Sequence, residues 1–483
     1  MEFQAVRPWS MARIMLGLAL WLQGCGGSGG PQAMTQLQLV LSSDSNDRLT
    51  EFDLELQDIT LTSARGGTVS LLKNSLGGEF IHVNAQIEPV LTVSVPQDIY
   101  VSATMTVGSA QFTCVSIGST GALTDNTFVY GSTPAANVSV ALPQPLTVIG
   151  ESMGLMVRLL TAQSAQYSDC TDSASFNATS SITPTFSLTS FPIPATAADE
   201  VADRVYGLDG EITAVNATSG SFQVTLPVFP YLSPPASAVS LVTDSATTLQ
   251  GLAPGASLGV GSYVDLDGSL QPDGSIHATR VAVADSTAVN VRRGPVLTVY
   301  ASQPVFMMVP RQAQGINTRV NLESYDFGSA RFAISGQFSN IGQLPFTATF
   351  SAANMVAGQT VYVAAPSFIL SGGLPYYAAA TTVTLMPQTL DGTVVGIGAS
   401  GAFTVYTVQL AADDLFPALA VQPGQTTLLS QPDHVQVYVD AGTRMQNSMP
   451  VSPGDVLRFY GLVFDDAGVL RMDCAQVDDG VAP

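Results

Sequence analysis

From Gln36 onward the chain alternates apolar and polar residues over short runs. Gln36-Leu37-Gln38-Leu39-Val40-Leu41, Phe52-Asp53-Leu54-Glu55-Leu56 and Leu91-Thr92-Val93-Ser94-Val95 place successive side chains on opposite sides of an extended backbone. Turn-forming clusters separate the runs: Ser42 to Asp47, Gly66-Gly67, Gly77-Gly78 and Pro96-Gln97-Asp98. The pattern resumes at Val138 to Leu142 and Met153 to Leu160 and closes near Phe191-Pro192-Ile193-Pro194. It predicts an all-β chain opening with an antiparallel β-sandwich over 35–194.

An acidic linker over 195–204 follows, and then the pattern repeats. Gly210-Glu211-Ile212, Gly294-Pro295-Val296 and Gly392-Thr393-Val394 each open an alternating strand. Later in each unit a second glycine leads another strand, at Gly261, Gly358 and Gly454, spacings of 97 and 96 residues. Three homologous modules over 205–290, 291–387 and 388–483 are the economical reading. Short joints containing Pro, Gly and Asp suggest that they stack end to end as a stiff rod.

The first module carries an opening Asp209-Gly210-Glu211-Ile212, a central Gly261 to Gly268 and a closing Asp273-Gly274-Ser275-Ile276-His277-Ala278-Thr279-Arg280-Val281. These motifs resemble a bacterial family of tandem small envelope β-barrels, domain of unknown function 5666, which implies five-stranded OB-like barrels. The third module fits more loosely, with Met472 at the alanine position, and the middle one fits mainly by spacing. The N-terminal block is more faintly similar to another lipoprotein family, domain of unknown function 4382. Neither resemblance brings catalytic residues with it.

Ahead of the sandwich, Ile14 to Leu22 is an apolar run too short to span a bilayer, preceded by Arg7 and Arg13 and followed by Leu22-Gln23-Gly24-Cys25. That arrangement resembles a bacterial lipoprotein signal. It implies removal of 1–24 (counted from Met1, with Met11 an alternative start), an acylated Cys25, and a tether over 25–34 rich in glycine. Gly26 offers no acidic retention signal, so the outer membrane is the expected address.

The mature chain would carry 14 cations against 36 acids, a formal charge of −22 that repels nucleic acid and anionic headgroups. Both tryptophans, Trp9 and Trp21, fall in the signal, which weakens a sugar-binding reading without removing it. Cys114 and Cys170 either form a disulfide, the preferred pairing in an exported protein, or stay as buried thiols. Cys474 reads as a small core residue.

Little chemistry is encoded in recognisable form. His82, His277 and His434 each stand alone in an alternating run, and neither a nucleophile elbow nor a phosphate loop is present. Asp44 with Asp47, and Asp265 with Asp267, space oxygens as Ca²⁺ would need, but no distal Glu completes either loop, and for Asp265 and Asp267, on one side of a strand, a solvated outer face is the simpler reading. Phe229 and Tyr231, like Tyr376 and Tyr377, either line a ligand loop or plug a barrel end. The expectation is therefore a non-catalytic envelope lipoprotein without cofactor, attached to the membrane by lipid, with a structural or a ligand- or protein-binding role whose partner is an envelope protein or polysaccharide. The alternative is an exported hydrolase with a carboxylate-based site. If the signal is read correctly, Cys25→Ser abolishes labelling by a fatty-acid analogue; unchanged labelling would refute it.

Overall fold

The computed structural model describes residues 32–478 except 45–48, 85, 118–122, 131–135, 141, 143, 167–180, 194–202, 217, 227–237, 253–254, 284–289, 315–321, 339, 372–373, 411–413, 420–428 and 446–449. The all-β expectation holds. The N-terminal block is two sheets facing one core. One has the order Phe186–Pro192, Ser152–Leu159, Met34–Ser43, Glu88–Pro96 and departs from the expected antiparallel arrangement: Met34–Ser43 runs parallel to Ser152–Leu159, a pairing of strands distant in sequence that alternation alone cannot orient. The other is built on the long antiparallel pair Leu49–Ser63 and Asp98–Ile117. The alternation explains the layering: Leu37, Leu39 and Leu41 meet Phe52, Leu54 and Phe112 in one buried cluster.

The first barrel takes five strands, Arg204–Asn216, Ser221–Thr225, Ala238–Val242, Tyr263–Leu270 and Ile276–Val283. It closes by parallel pairing of strand three with strand five, Leu241 opposite Ile276. The third barrel follows the same path through Gln388–Ser400, Phe403–Leu410, His434–Val439, Val456–Asp466 and Val469–Asp478, closing at Val437 opposite Met472. In the middle barrel strands one to three are Asn290–Val299, Val305–Met308 and Glu323–Asp326. Strand four is split into Thr360–Ala365 and Phe368–Ser371, and strand five into Leu374–Ala379 and Thr382–Leu385. The order of pairing is nonetheless preserved, with strand three parallel to the first half of strand five.

The repeated glycines have two separate causes. Gly261, Gly358 and Gly454 sit at φ +84°, +96° and +100°, a left-handed turn ahead of strand four. Gly210, Gly294 and Gly392 lie where strand one passes so close to a neighbour that a Cβ would fall 2.7, 1.8 and 2.4 Å from the carbonyl oxygens of Thr225, Val309 and Gln409.

The rod expectation is overturned. The third barrel's Leu462 and Phe464 are buried in the second barrel's core, and Gln359 donates to the Val463 carbonyl at 2.9 Å. Tyr206 of the first barrel lies 6.4 Å from Tyr460 of the third, ring to ring. The sandwich reaches all three barrels: Val40 and Phe191 join the first barrel's core, Arg311 of the second donates to Leu49 O at 3.0 Å, and Thr389 of the third to Asn84 O at 3.2 Å. Short joints fix only that neighbouring barrels lie close, and here they pack through their side faces.

Candidate functional site

Those side faces carry charge. In each barrel the residue before the strand-one glycine is ionic: Asp209, Arg293 and Asp391. Its strand-four partners are Asp265, Tyr362 and Arg458. Arg293 of the second barrel crosses to the first, with Nη1 2.9 Å from Gly207 O and 3.3 Å from Asp209 Oδ2. Burial pushes Asp209 up to about 7; Arg293 opposes that rise and Asp265 adds to it. Arg458 pairs with Asp391 at 3.1 Å and donates to Ser43 O of the sandwich at 3.4 Å.

Between the barrels lies a cleft of about 660 Å³ walled by all three. The first contributes Tyr206, Asp267 and Arg280, the second Gln337 and Asn340, the third Asp440, Arg444, Tyr460 and Asp473. Arg280 forks between Asp265 and Asp267. Gln337 donates to Asp267 Oδ1 at 2.6 Å and accepts from the Tyr460 hydroxyl at 3.4 Å. The Arg444 guanidinium stacks 4.4 Å over Tyr206. At the seam between the second and third barrels Asn340 Nδ2 donates to Asp440 Oδ2 at 2.9 Å and lies 3.5 Å from Asp473 Oδ1. Burial pushes Asp473 up to about 6, with Asp440 adding to the rise and Asn340 opposing it. A recess of about 180 Å³ between the first two barrels shares Gln250, Arg280 and Gly336 with the cleft. A third, where the sandwich meets the second and third barrels, holds about 50 Å³, room for a few waters but not an organic ligand.

The residues singled out from sequence fall mostly elsewhere. Cys25, Cys170, Asp47, Phe229 and Tyr231 lie outside the described residues, as do the side chains of Cys114 and Tyr376. Tyr377 donates to Asp326 at 3.1 Å. Asp44 is buried and accepts from the Thr161 hydroxyl at 2.7 Å. Asp265 and Asp267 are not on a solvated face: both are buried, and Arg280 already occupies them. Cys474 is in the third barrel's core, where burial pushes its thiol up. Among the described residues no group of three His, Cys, Asp or Glu side chains converges as metal ligands, and no helix is long and apolar enough to cross a membrane. Sequence reading missed Asn340, Asp440 and Asp473, which come together only when two barrels pack.

The histidines are paired with acids and do not stand alone. His277 meets Asp244 at 3.0 Å and His434 meets Asp433 at 3.0 Å. His82 lies in a turn, not a strand, with Nδ1 3.0 Å from Glu79 and Nε2 2.8 Å from Glu88.

Residues 209–282, the first barrel, match the model of a family described as a domain of unknown function, number 5666. No curated protein matches the chain. A solved structure described as Drosophila Unr CSD456 is similar at 9% identity and a TM-score of 0.13, covering 56% of this chain and 96% of that one. Likeness at that score carries no argument about fold or function.

Burial alone would lower the His82 pKa, but Glu88 and Glu79 outweigh it and hold the imidazolium up to about 10. The pair therefore stabilises the fold fully below about 6.5 and loses its effect as pH rises through about 10. Glu88→Gln is expected to cost about 2 kcal/mol at neutral pH and to shrink the alkaline decline. Denaturant unfolding across pH checks this; an unchanged decline would contradict it.

Proposed function

We propose that this chain is a non-catalytic cell-envelope lipoprotein, held on a membrane, the outer membrane where there is one, through acylated Cys25, that binds a polar, hydroxyl-bearing ligand of saccharide size between its three barrels. One observation supports this above the rest: the cleft of about 660 Å³ has a size suited to a small organic ligand and draws its walls from every barrel. Tyr206 and Tyr460 line the cleft, with the Arg444 guanidinium already over one face of Tyr206 and Tyr460 only 3% exposed. Gln337, Asn340, Asp440 and Arg444 present planar amide, carboxylate and guanidinium groups suited to hydroxyls. The net charge of the chain argues against nucleic acid as the partner.

A second reading has its own observation. Asp473, pushed up to about 6 beside Asp440, has the environment of a general acid paired with a second carboxylate, as a hydrolase would use.

The two are separated by titrating the mature protein with a panel of neutral and acidic oligosaccharides by calorimetry while assaying glycoside and ester hydrolysis. Binding without turnover, weakened about tenfold by Tyr460→Ala, is expected. Hydrolysis abolished by Asp473→Asn would replace the binding reading with the enzyme; no binding across the panel would overturn the saccharide.

A further inference from the structure

The three barrels repeat one small device, and only the third lacks its donor. After strand three each barrel turns at an aspartate, two residues beyond the position that pairs in parallel with strand five. Val242 pairs with His277 ahead of Asp244, Ser324 with Tyr377 ahead of Asp326, and Tyr438 with Asp473 ahead of Asp440. In every case Oδ1 of the aspartate accepts the backbone N–H two residues on, from Ala246 at 2.8 Å, Gly328 at 2.8 Å and Gly442 at 2.7 Å. The other oxygen is free to meet strand five. In the first barrel Asp244 Oδ2 meets His277 Nε2 at 3.0 Å, and in the second Asp326 Oδ2 accepts from the Tyr377 hydroxyl at 3.1 Å. In the third barrel the strand-five residue is itself a carboxylate, which when ionised has no proton to give.

The consequence is visible at the seam. Asp440 Oδ2 takes its donor from the neighbouring barrel, at Asn340, while Asp473 Oδ2 is buried with no hydrogen-bond partner, in a residue only 1% exposed. A buried carboxylate oxygen without a donor is costly, and the smallest group that supplies one is a proton. We propose that Asp473 is a proton-operated latch between the second and third barrels. Protonated, it donates to Asp440 as His277 and Tyr377 do to their own aspartates, and the seam beside Asn340 closes. Ionised, the two carboxylates repel across the Asn340 amide and the seam loosens at the wall of the cleft. As regulation of the cleft this rests on the ligand-binding reading above, although the proton step itself needs no ligand.

Burial raises the proton affinity of Asp473 most, and Asp440 is the charged neighbour that adds to it; Tyr438, the strand-three partner of Asp473, is taken up by Arg471. Asn340, from the second barrel, is neutral, and so is Leu462, opposite on strand four. Across the cleft Arg280 and Asp267 pair with each other, and Arg444 stacks on Tyr206. The upward displacement of Asp473 to about 6 agrees with this geometry. Because the folded state holds the proton more tightly than the unfolded chain, the contribution is present at low pH, falls as pH rises from the ordinary aspartate range through about 6, and is absent above.

Asp473→Asn places a permanent amide donor at the position, so it mimics the closed latch. The test is hydrogen exchange of backbone amides around residues 336–343 and 440–445 in the ligand-free mature protein at pH 5 and pH 7.5, corrected for intrinsic rates, with thermal melts beside it. Exchange in the wild type is expected to slow by about tenfold at the lower pH, within the reach of a shift of this size. In Asp473→Asn it should be slow at both, and its melting temperature should exceed that of the wild type only at pH 7.5. Equal exchange in the wild type at both values, or a variant that melts below the wild type at pH 7.5, would overturn the latch. Millimolar CaCl₂ that slows wild-type exchange at pH 7.5, but not that of the variant, would also overturn it by assigning a metal instead. Failure of the latch leaves the saccharide titration untouched, and failure of that titration leaves the exchange result standing.

Discussion

A buried guanidinium must find a carboxylate or a carbonyl, and this chain meets that demand across its modules. Arg293 is 8% exposed and finds its partners, Gly207 and Asp209, in the preceding barrel. Arg458, at 1%, pairs with Asp391 in its own barrel and then reaches Ser43 of the sandwich. Breaking such a pair strands a buried charge at a cost of about 3 to 5 kcal/mol, whereas independent modules would leave the same residues in water at little cost. The arrangement is therefore one of mutual obligation: a barrel removed from its neighbours exposes charges that the assembled molecule satisfies.

Gathering the barrels side to side also creates the cleft. No barrel owns it. Tyr206, Gln337 and Tyr460 come from successive modules and are brought within ring-contact or hydrogen-bond reach of one another only by that packing. Divergence among repeats follows the same logic. The strand-one position reads Asp209 in the first barrel and Arg293 in the second, which meet across their interface, where identical residues would have set like charges together.

Local features were legible in the sequence and relations between modules were not. The alternation around Leu37 and Phe52 gave the sandwich faces, and the regular glycines marked both the left-handed turns and the close approaches of strand one. The break in strands four and five of the middle barrel explains why its motifs fade: no closing Asp-Gly turn is needed where Phe368–Ser371 and Leu374–Ala379 form a separate hairpin. Asp265 and Asp267 were misjudged because period-two alternation identifies an outward face without saying whether water or another barrel covers it. Asp440 and Asp473 were not legible: the motif alignment that put Met472 at the alanine position sets Arg471 against His277. The strand pairing instead puts Cys474 opposite Gly461, as Ala278 is opposite Gly268, and so Asp473 at the place of His277, and only the packed structure shows Asn340 meeting the two acids.

Small-angle scattering of the mature chain in solution tests the central claim, that the barrels cluster around buried charge pairs instead of forming a line. A compact particle is predicted, with a radius of gyration near the value of about 23 Å that a single globule of this length would have. A markedly larger radius with the profile of a rod would contradict the clustering and, with it, the existence of a cleft shared by three barrels.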